Sequence, residues 1–477
     1  MKRVTKTGKK LEKKLHKKQR LALSRMREAA REVNGEAMCT GGAGTGKTLT
    51  TVMLLKHLRN DGIKFIVCAP THKACEVFRQ MSGEHNVPCE VVTIHKFLSL
   101  KPKRSKTGEF VLVQGHRSKD LFEDPPDVVL IDEVSMNDSQ VDAFIIKEME
   151  ESSISFLYIG DKAQIPPVNE LESPTFERVN NVTNLSKVWR QAKNNPIISL
   201  ATEVRMHIEN KGDFPDLRVR NLKGKKSGKA GVWHFTDPGS VWPSINAAVE
   251  QSRDCCYIAY TNAKVNQAGR RMRQLMMQDR EDFEPGERYT VNAQVEKVEH
   301  IVVPEDKRLL LAEQFHNNEL VTIKSRTPMM MPPRTDYYKD AQIEVMDRLL
   351  PLSPIEGYWI ETECARAAWQ PKNIAHIRNI KDRIFKIPIE ERRSLFPELS
   401  RIESFIDLRV PYSLTVHKSQ GSAFDIVVLD LEDLNKALNA YNPEDLLRKR
   451  KEYLNLLYTG MTRARQILLL IGETEYS

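Results

Sequence analysis

Gly41-Gly42-Ala43-Gly44-Thr45-Gly46-Lys47-Thr48 is the stretch on which the reading of this chain turns. Its spacing, G-x-x-x-x-G-K-T, is that of a phosphate-binding loop. Glycines let a backbone curl until several N–H groups aim at one phosphate chain. Lys47 then brings positive charge to the β- and γ-phosphates, and the Thr48 hydroxyl suits Mg²⁺. The flanks agree. Glu36-Ala37-Met38-Cys39-Thr40 reads as a strand, and Leu49 to Leu58 has helical spacing with Val52, Leu55 and Leu58 on one side. A helix N-terminus would therefore face the phosphates.

The chain has 477 residues, enough for two to four domains, so core burial is not limiting. Its formal net charge of +9 favours a polyanionic partner. Seven cysteines without paired zinc spacing fit a reducing compartment, and the adjacent Cys255-Cys256 suits neither a metal nor an easy disulfide. There is no apolar run of bilayer-spanning length. The basic N-terminus lacks the apolar core of a secretory signal.

Acids and cations recur at the ends of apolar runs. Met1 to Arg20 is dense in lysine, either a solvated tail or an arm on nucleic-acid phosphates. Gln19, on a helix shortly before the loop, has an amide able to read an adenine edge. Phe65 to Ala69 reads as a buried strand running into Pro70-Thr71-His72-Lys73, and Val91-Val92-Thr93-Ile94-His95 repeats the pattern. In an open α/β sheet, ligands lie beyond the carboxyl ends of the strands. Lys101 to Lys119 is basic and alternates at Phe110-Val111-Leu112-Val113, with Thr107-Gly108 as a turn; a hairpin carrying an aromatic suits base stacking or a wedge. Asp127 to Ile131 is an apolar strand ending in Asp132-Glu133. Such a pair divides the labour of holding a metal and deprotonating water.

Ile154 to Ile159 ends in Gly160-Asp161-Lys162-Ala163-Gln164, where Gln164 would sense a γ-phosphate or position water. Asn184 to Arg190 reads as helical and presents Arg190 as a charge-stabilising guanidinium. Ser186 to Arg205 reads as a link between two lobes. A second sheet is expected from Cys255 to Ala259 onward, with Tyr260-Thr261-Asn262 at that strand's end. Tyr412 to Val416 leads into His417-Lys418-Ser419-Gln420-Gly421, and Phe424 to Leu431 is a further strand. Glu444 to Leu457 is a helix, followed by Tyr458-Thr459-Gly460-Met461-Thr462-Arg463 and the strand Gln466 to Ile471. Arg463 is a second candidate arginine finger; Arg465 reads better as an ordinary ion pair. Between these segments, Val291 to Val303, Leu320 to Ile323 and Tyr358 to Glu363 are strand candidates, and Ile374 to Phe405 is mostly helical.

Taken in order, the phosphate loop, Ala69-Pro70-Thr71-His72, Asp132-Glu133-Val134-Ser135-Met136, Gly160 to Gln164, His417 to Gly421 and Tyr458 to Arg463 resemble the motifs of superfamily 1 helicases of the 5′→3′ branch, in its Dda-like and RecD-like groups. The resemblance implies an α/β fold with two RecA-like P-loop domains, a small β-hairpin inserted in the first and an SH3-like β-rich domain in the second. The expected spans are 1–190 with a pin hairpin at 99–117, 191–289 with 413–477, and 290–412 for the insertion with a helical appendage. It implies ATP and Mg²⁺ as cofactors. Gln19 would meet adenine; Gly42, Ala43, Gly44, Thr45, Gly46, Lys47, Thr48 and Gly421 the nucleotide; Thr48 and Asp132 the metal. Lys47, Asp132, Glu133, Gln164, Arg190 and Arg463 would serve catalysis. Thr71, His72, Thr93, His95, Phe110, Thr261, Asn262, His417 and Lys418 would line the DNA.

The implied partners are single-stranded DNA and single-strand/duplex junctions, then a single-strand-binding or replisome protein, with no membrane and a monomeric chain. The implied location is cytoplasmic, in the host if the source is viral. Motif wording supports the branch: the chain has neither the aspartate-glutamate-x-glutamine acidic motif nor the threonine-asparagine-rich segment of 3′→5′ relatives. A P-loop kinase for a small molecule and an ATP-gated nucleic-acid binder without directional motion are the competing readings. A helicase–nuclease is disfavoured, since the sequence offers no further acidic cluster.

Overall fold

The computed structural model describes residues 15–104, 110–115, 125–168, 170–188, 195–210, 222–223, 231–251, 253–277, 288–291, 295–301, 309–315, 320–322, 408–409, 411–439 and 443–473. The chain divides into two compact units, one of Met1–Gln267 with Ser413–Ser477 and one of Ala268–Tyr412. The first is an α/β unit built on two mostly parallel sheets.

The first sheet runs, edge to edge, Val91–Thr93, Phe65–Ala69, Val128–Ile131, Ser155–Gly160, Glu36–Gly41 and Val182–Leu185, all parallel. Strands covered on both faces read as continuous apolar runs, as Phe65-Ile66-Val67-Cys68-Ala69 and Val128-Val129-Leu130-Ile131 do. One face packs on the Lys17–Ala29, Lys47–Asp61 and His72–Glu84 helices through Leu23, Leu54, Leu58 and Phe78. The other packs through Phe97, Val141, Ile145 and Phe176. The Lys47–Asp61 helix was expected to be apolar along one stripe. It is buried on most sides, from Thr50 and Thr51 to Met53, Leu54 and His57, as a helix enclosed by its neighbours must be.

An ion network stiffens this lobe. The Arg178 guanidinium donates to both Glu36 oxygens (2.5 and 2.7 Å) and to both Asp142 oxygens (3.0 Å each), and the buried Tyr158 hydroxyl donates to Glu36 at 2.6 Å. Two strands and two helices are thereby tied by charge-assisted bonds.

The second sheet runs Ser413–Thr415, Cys255–Ala259, Phe424–Asp430, Ala464–Ile471, Gly231–Phe235 and Leu222–Lys223, parallel except for the last pair. Its core holds Val427, Leu429, Tyr453, Leu457 and Leu470. It also holds Ile197, Leu200, Ala201 and Val204 from the helix Pro196–Asn210. The expected linker at Ser186 to Arg205 is therefore, from Pro196 onward, a core helix of the second sheet. Its apolar positions recur at three- and four-residue steps, the signature of a packed helix face.

Three other expectations are corrected. Asn184 and Leu185 are not helical but lie in the edge strand Val182–Leu185. The strand expected to reach His95 stops at Thr93, whose hydroxyl accepts from Lys96 N and caps the short helix Ile94–Phe97. The helix expected to end at Leu457 continues to Met461, so Tyr458 and Thr459 are helical.

A two-stranded antiparallel hairpin pairs Leu100–Arg104 with Phe110–Gln114, Arg104 opposite Phe110; Thr107-Gly108 lies outside the described residues. In the second unit, Arg288–Val291 pairs antiparallel with Leu320–Thr322 and with Leu408–Arg409, and Val295–Ile301 pairs with Leu309–Phe315. The expected strand Tyr358 to Glu363 and the expected helical stretch Ile374 to Phe405 lie outside the described residues. No helix among the described residues is long and apolar enough to cross a membrane.

Candidate functional site

The phosphate loop lies between the strand Glu36–Gly41 and the helix Lys47–Asp61. Gly44 and Gly46 have φ of 73° and 88°, left-handed values that a side chain would resist. Gly46 caps the helix without a side-chain hydrogen bond, so the first-turn N–H groups have no side-chain acceptor there. Such an end is an anion site in waiting. Lys47 Nζ donates to the carbonyls of Gly41 and Gly42 and lies 3.9 Å from Asp161 Oδ2. Thr48 is exposed. Gln19 is buried; its amide accepts from His16 N at 3.0 Å and donates to Gly46 O at 3.3 Å, so it braces the loop as well as its own helix.

Asp132 and Glu133 follow the strand Val128–Ile131. Glu133 has φ 54°, a left-handed value that is uncommon for a non-glycine residue and clusters at functional sites. Burial, and then the neighbouring Glu133 carboxylate, push the Asp132 carboxyl up to about 7, with Lys47 pulling the other way. Gln164 is buried, and its Oε1 has no hydrogen-bond partner among the described residues. A buried acceptor left without a partner costs about 1–3 kcal/mol unless something fills it.

At the centre lies Asp161, 1% exposed, at the end of the strand Ser155–Gly160. Its Oδ1 accepts from Arg205 Nη1 and from Ala163 N (3.1 Å), and its Oδ2 accepts from the Tyr458 hydroxyl at 2.6 Å. The same hydroxyl accepts from Ala43 N of the phosphate loop at 3.0 Å. Tyr458 and Arg205 stand on helices of the second sheet's core. A cavity of about 220 Å³ opens here, lined by Gly42, Ala43, Leu185, Arg205, Glu209 and Tyr458 among others.

Arg463 is buried and donates to Thr459 O, Ser422 O and Thr462 Oγ1 at 3.1 to 3.2 Å. Burial lowers its pKa, against the pull of Glu133, Tyr458 and Asp161. Arg465 is exposed and faces Asp425 at 3.9 Å, an ordinary ion pair. Gly421 has φ 73° and sits so close to Ala74 that a Cβ there would come within 3.0 Å of the Ala74 Cβ. Arg190 lies outside the described residues.

Of the residues expected to meet nucleic acid, Thr93 ends its strand, Phe110 lies in the hairpin, and the others follow strand ends of the two sheets. Thr71 caps the helix His72–Glu84, accepting from Ala74 N at 3.1 Å. Half-buried His95 has its pKa lowered by burial, with Asp138 opposing. Thr261 donates to Asp433, whose Oδ2 also accepts from Tyr260 N (2.9 Å) and Thr261 N (2.6 Å). With its only proton committed there, the Thr261 hydroxyl can offer a ligand lone pairs alone. Asn262 beside it is exposed, as is His417, whose ring leans on Tyr260 at 6.3 Å. The Lys418 N–H donates to Thr415 Oγ1 at 3.3 Å. Nothing is described of the Phe110 side chain.

Comparison with known proteins agrees with this arrangement. Residues 14–212 match an AAA domain, and residues 411–471 match a UvrD-like helicase C-terminal domain. The chain is 31% identical over 163 residues to the ATP-dependent RecD2 DNA helicase of Deinococcus radiodurans, covering 34% of this chain and 20% of that protein. It is 28% identical over 313 residues to the ATP-dependent DNA helicase dda of Enterobacteria phage T4, covering 64% and 66%. The chain belongs to the superfamily 1 helicases of the Dda and RecD type. A further relative of this helicase is the uncharacterized protein R530 of Acanthamoeba polyphaga mimivirus, 22% identical over 482 residues and covering 90% and 93%.

In the sequence of this helicase Asp161 and Tyr458 stand inside motifs, whereas Arg205 and Asp433 carry no motif. Asp161 had a signal, since it follows an apolar strand just as Asp132 does. Breaking the buried ion pair tests its weight. Arg205→Met should lower the unfolding free energy by about 3 kcal/mol, because Asp161 is left charged and underpaired. Adding Asp161→Asn should restore part of that loss, giving a coupling above about 1 kcal/mol in a urea-denaturation double-mutant cycle.

Proposed function

We propose that this helicase hydrolyses ATP to ADP and phosphate, moves 5′→3′ along single-stranded DNA and unwinds duplex DNA at single-strand/duplex junctions. The observation that carries this reading is the shared cleft. The phosphate loop, Asp132-Glu133 and Gln164 lie at strand ends of one sheet, and Tyr458 of the second sheet's core hydrogen-bonds into that loop.

The residues suit a metal–nucleotide complex. The orphaned Gln164 Oε1 is a buried acceptor aimed at no described group. Asp132 is a carboxyl pushed toward neutrality, which a divalent cation would return to its charged form. Thr48 and Asp132 would hold Mg²⁺, which neutralises charge building on the phosphates. Lys47 leaves the Gly41 and Gly42 carbonyls for the β- and γ-phosphates. Glu133 accepts the proton of the attacking water, and Gln164 orients that water. Arg463 and Arg190 supply positive charge to the transition state. Gln19 borders the adenine, and Gly421 the closed cleft.

ATP draws the two sheets together because both supply its ligands, and release of products relaxes them. Thr71, His72, Thr93 and His95 on one side, and Asn262, His417 and Lys418 on the other, would then grip the strand in alternation. Contacts of this kind follow the phosphate backbone, so affinity is insensitive to sequence and falls steeply with salt. Phe110, on the basic hairpin, would split the duplex as a pin. Work in DNA replication, recombination or repair, as a monomer in the cytoplasm, fits such a motor.

Glu133→Gln should bind a fluorescent ATP analogue as tightly as the wild type, yet hydrolyse ATP at least about 100-fold more slowly, the scale of a lost general base. Lys47→Ala should lose the binding itself while retaining most affinity for single-stranded DNA in a fluorescence-anisotropy titration. Phe110→Ala should reduce unwinding well below its effect on DNA-stimulated ATPase; equal loss of both would remove the pin from this account.

A further inference from the structure

One face of the helix Pro443–Met461 meets the segment that follows the first sheet's strand Ser155–Gly160. Asn455, Tyr458 and Thr459 stand at i, i+3 and i+4, the spacing that puts side chains on one helix face. All three are at most 1% exposed. Asn455 Nδ2 donates to Ala163 O at 2.8 Å and Gln164 O at 3.0 Å. The Tyr458 hydroxyl joins Asp161 to Ala43 N. Thr459 Oγ1 accepts from Ile165 N at 3.2 Å. The donors Asn455 Nδ2, Tyr458 Oη and Ile165 N meet acceptors in this one register, while Asn455 Oδ1 has no partner among the described residues. Tilting or sliding the helix would strand several buried polar groups, each at about 1–3 kcal/mol. The contact is therefore made or broken, with little between.

What it joins gives it a further consequence. On the first-sheet side it grips the backbone of Gln164 itself. On the second-sheet side the helix ends two residues before Arg463, whose Nε donates to Thr459 O. The same three residues thus set the position of the γ-phosphate candidates from both sheets.

We infer that Tyr458 and Asn455 are positioning residues that register Arg463 and Gln164 across the cleft, and that through them DNA held by both sheets accelerates ATP turnover. This rests on the reading of the cleft as an ATP-driven DNA motor. Neither side chain need touch the reacting atoms. DNA that spans both sheets would favour the docked register, and docking would complete the catalytic set.

The test is the ratio of DNA-stimulated to basal ATPase in the full chain, with Tyr458→Phe and, separately, Asn455→Asp. The ratio cancels any change in the active fraction, so a merely structural role lowers both rates and leaves it alone. Loss of both hydrogen bonds of the Tyr458 hydroxyl should cut the ratio at least about fivefold in Tyr458→Phe, and further in Asn455→Asp, which sets an acceptor against two carbonyls. A fluorescent ADP should bind Tyr458→Phe within about threefold of wild type, the loop's other N–H groups and Lys47 remaining. Wild-type stimulation with unchanged ratios in both variants would overturn this inference and leave the motor standing. A wild type whose ATPase ignores single-stranded DNA would overturn the motor reading as well.

Discussion

The carboxylate of Asp161 is the constraint around which this cleft is built. A charge 1% exposed to solvent persists only if its partners are fixed. Here those partners come from three places: the phosphate-loop lysine, the Arg205 guanidinium and the Tyr458 hydroxyl. Two of the three belong to the core of the second sheet. Desolvating one acid thus obliges two sheets to meet at the end of one strand, beside the loop that takes phosphate. Lys47 is the most distant of the three, at 3.9 Å, and also donates to the Gly41 and Gly42 carbonyls.

The second sheet uses the same device. Asp430 ends the strand Phe424–Asp430, Asp433 lies three residues on, and both are almost fully buried. Asp430 accepts from the Tyr257 hydroxyl and faces Lys264 at 3.3 Å. Asp433 fastens the backbone of Tyr260 and Thr261 and faces Lys436. In each sheet a buried acid holds a turn at the strand ends, where parallel topology gathers loops from different parts of the chain.

Local physics explains what could be read in advance. Strands buried on both faces announce themselves as apolar runs, so Phe65–Ala69 and Cys255–Ala259 stand as expected, and the glycine spacing of the phosphate loop needs no tertiary context. Ends and long-range partners were less legible. A helix reading that stopped at Leu457 missed that Tyr458 and Thr459 bury themselves against the other sheet, which prolongs the helix. Asn184-Leu185 is a strand only because it pairs beside Glu36–Gly41, a partner distant in sequence that leaves no local mark. Arg205 looked like linker because a guanidinium's partner, here Asp161, leaves no mark at short range.

The claim that matters most is that nucleotide turnover in this cleft drives directional motion on DNA. Two partial duplexes, one with a 5′ and one with a 3′ single-stranded tail, should be offered to the protein with and without ATP. The account predicts ATP-dependent opening of the 5′-tailed substrate alone. Opening of the 3′-tailed substrate instead would contradict the direction, and no opening of either would contradict the motor.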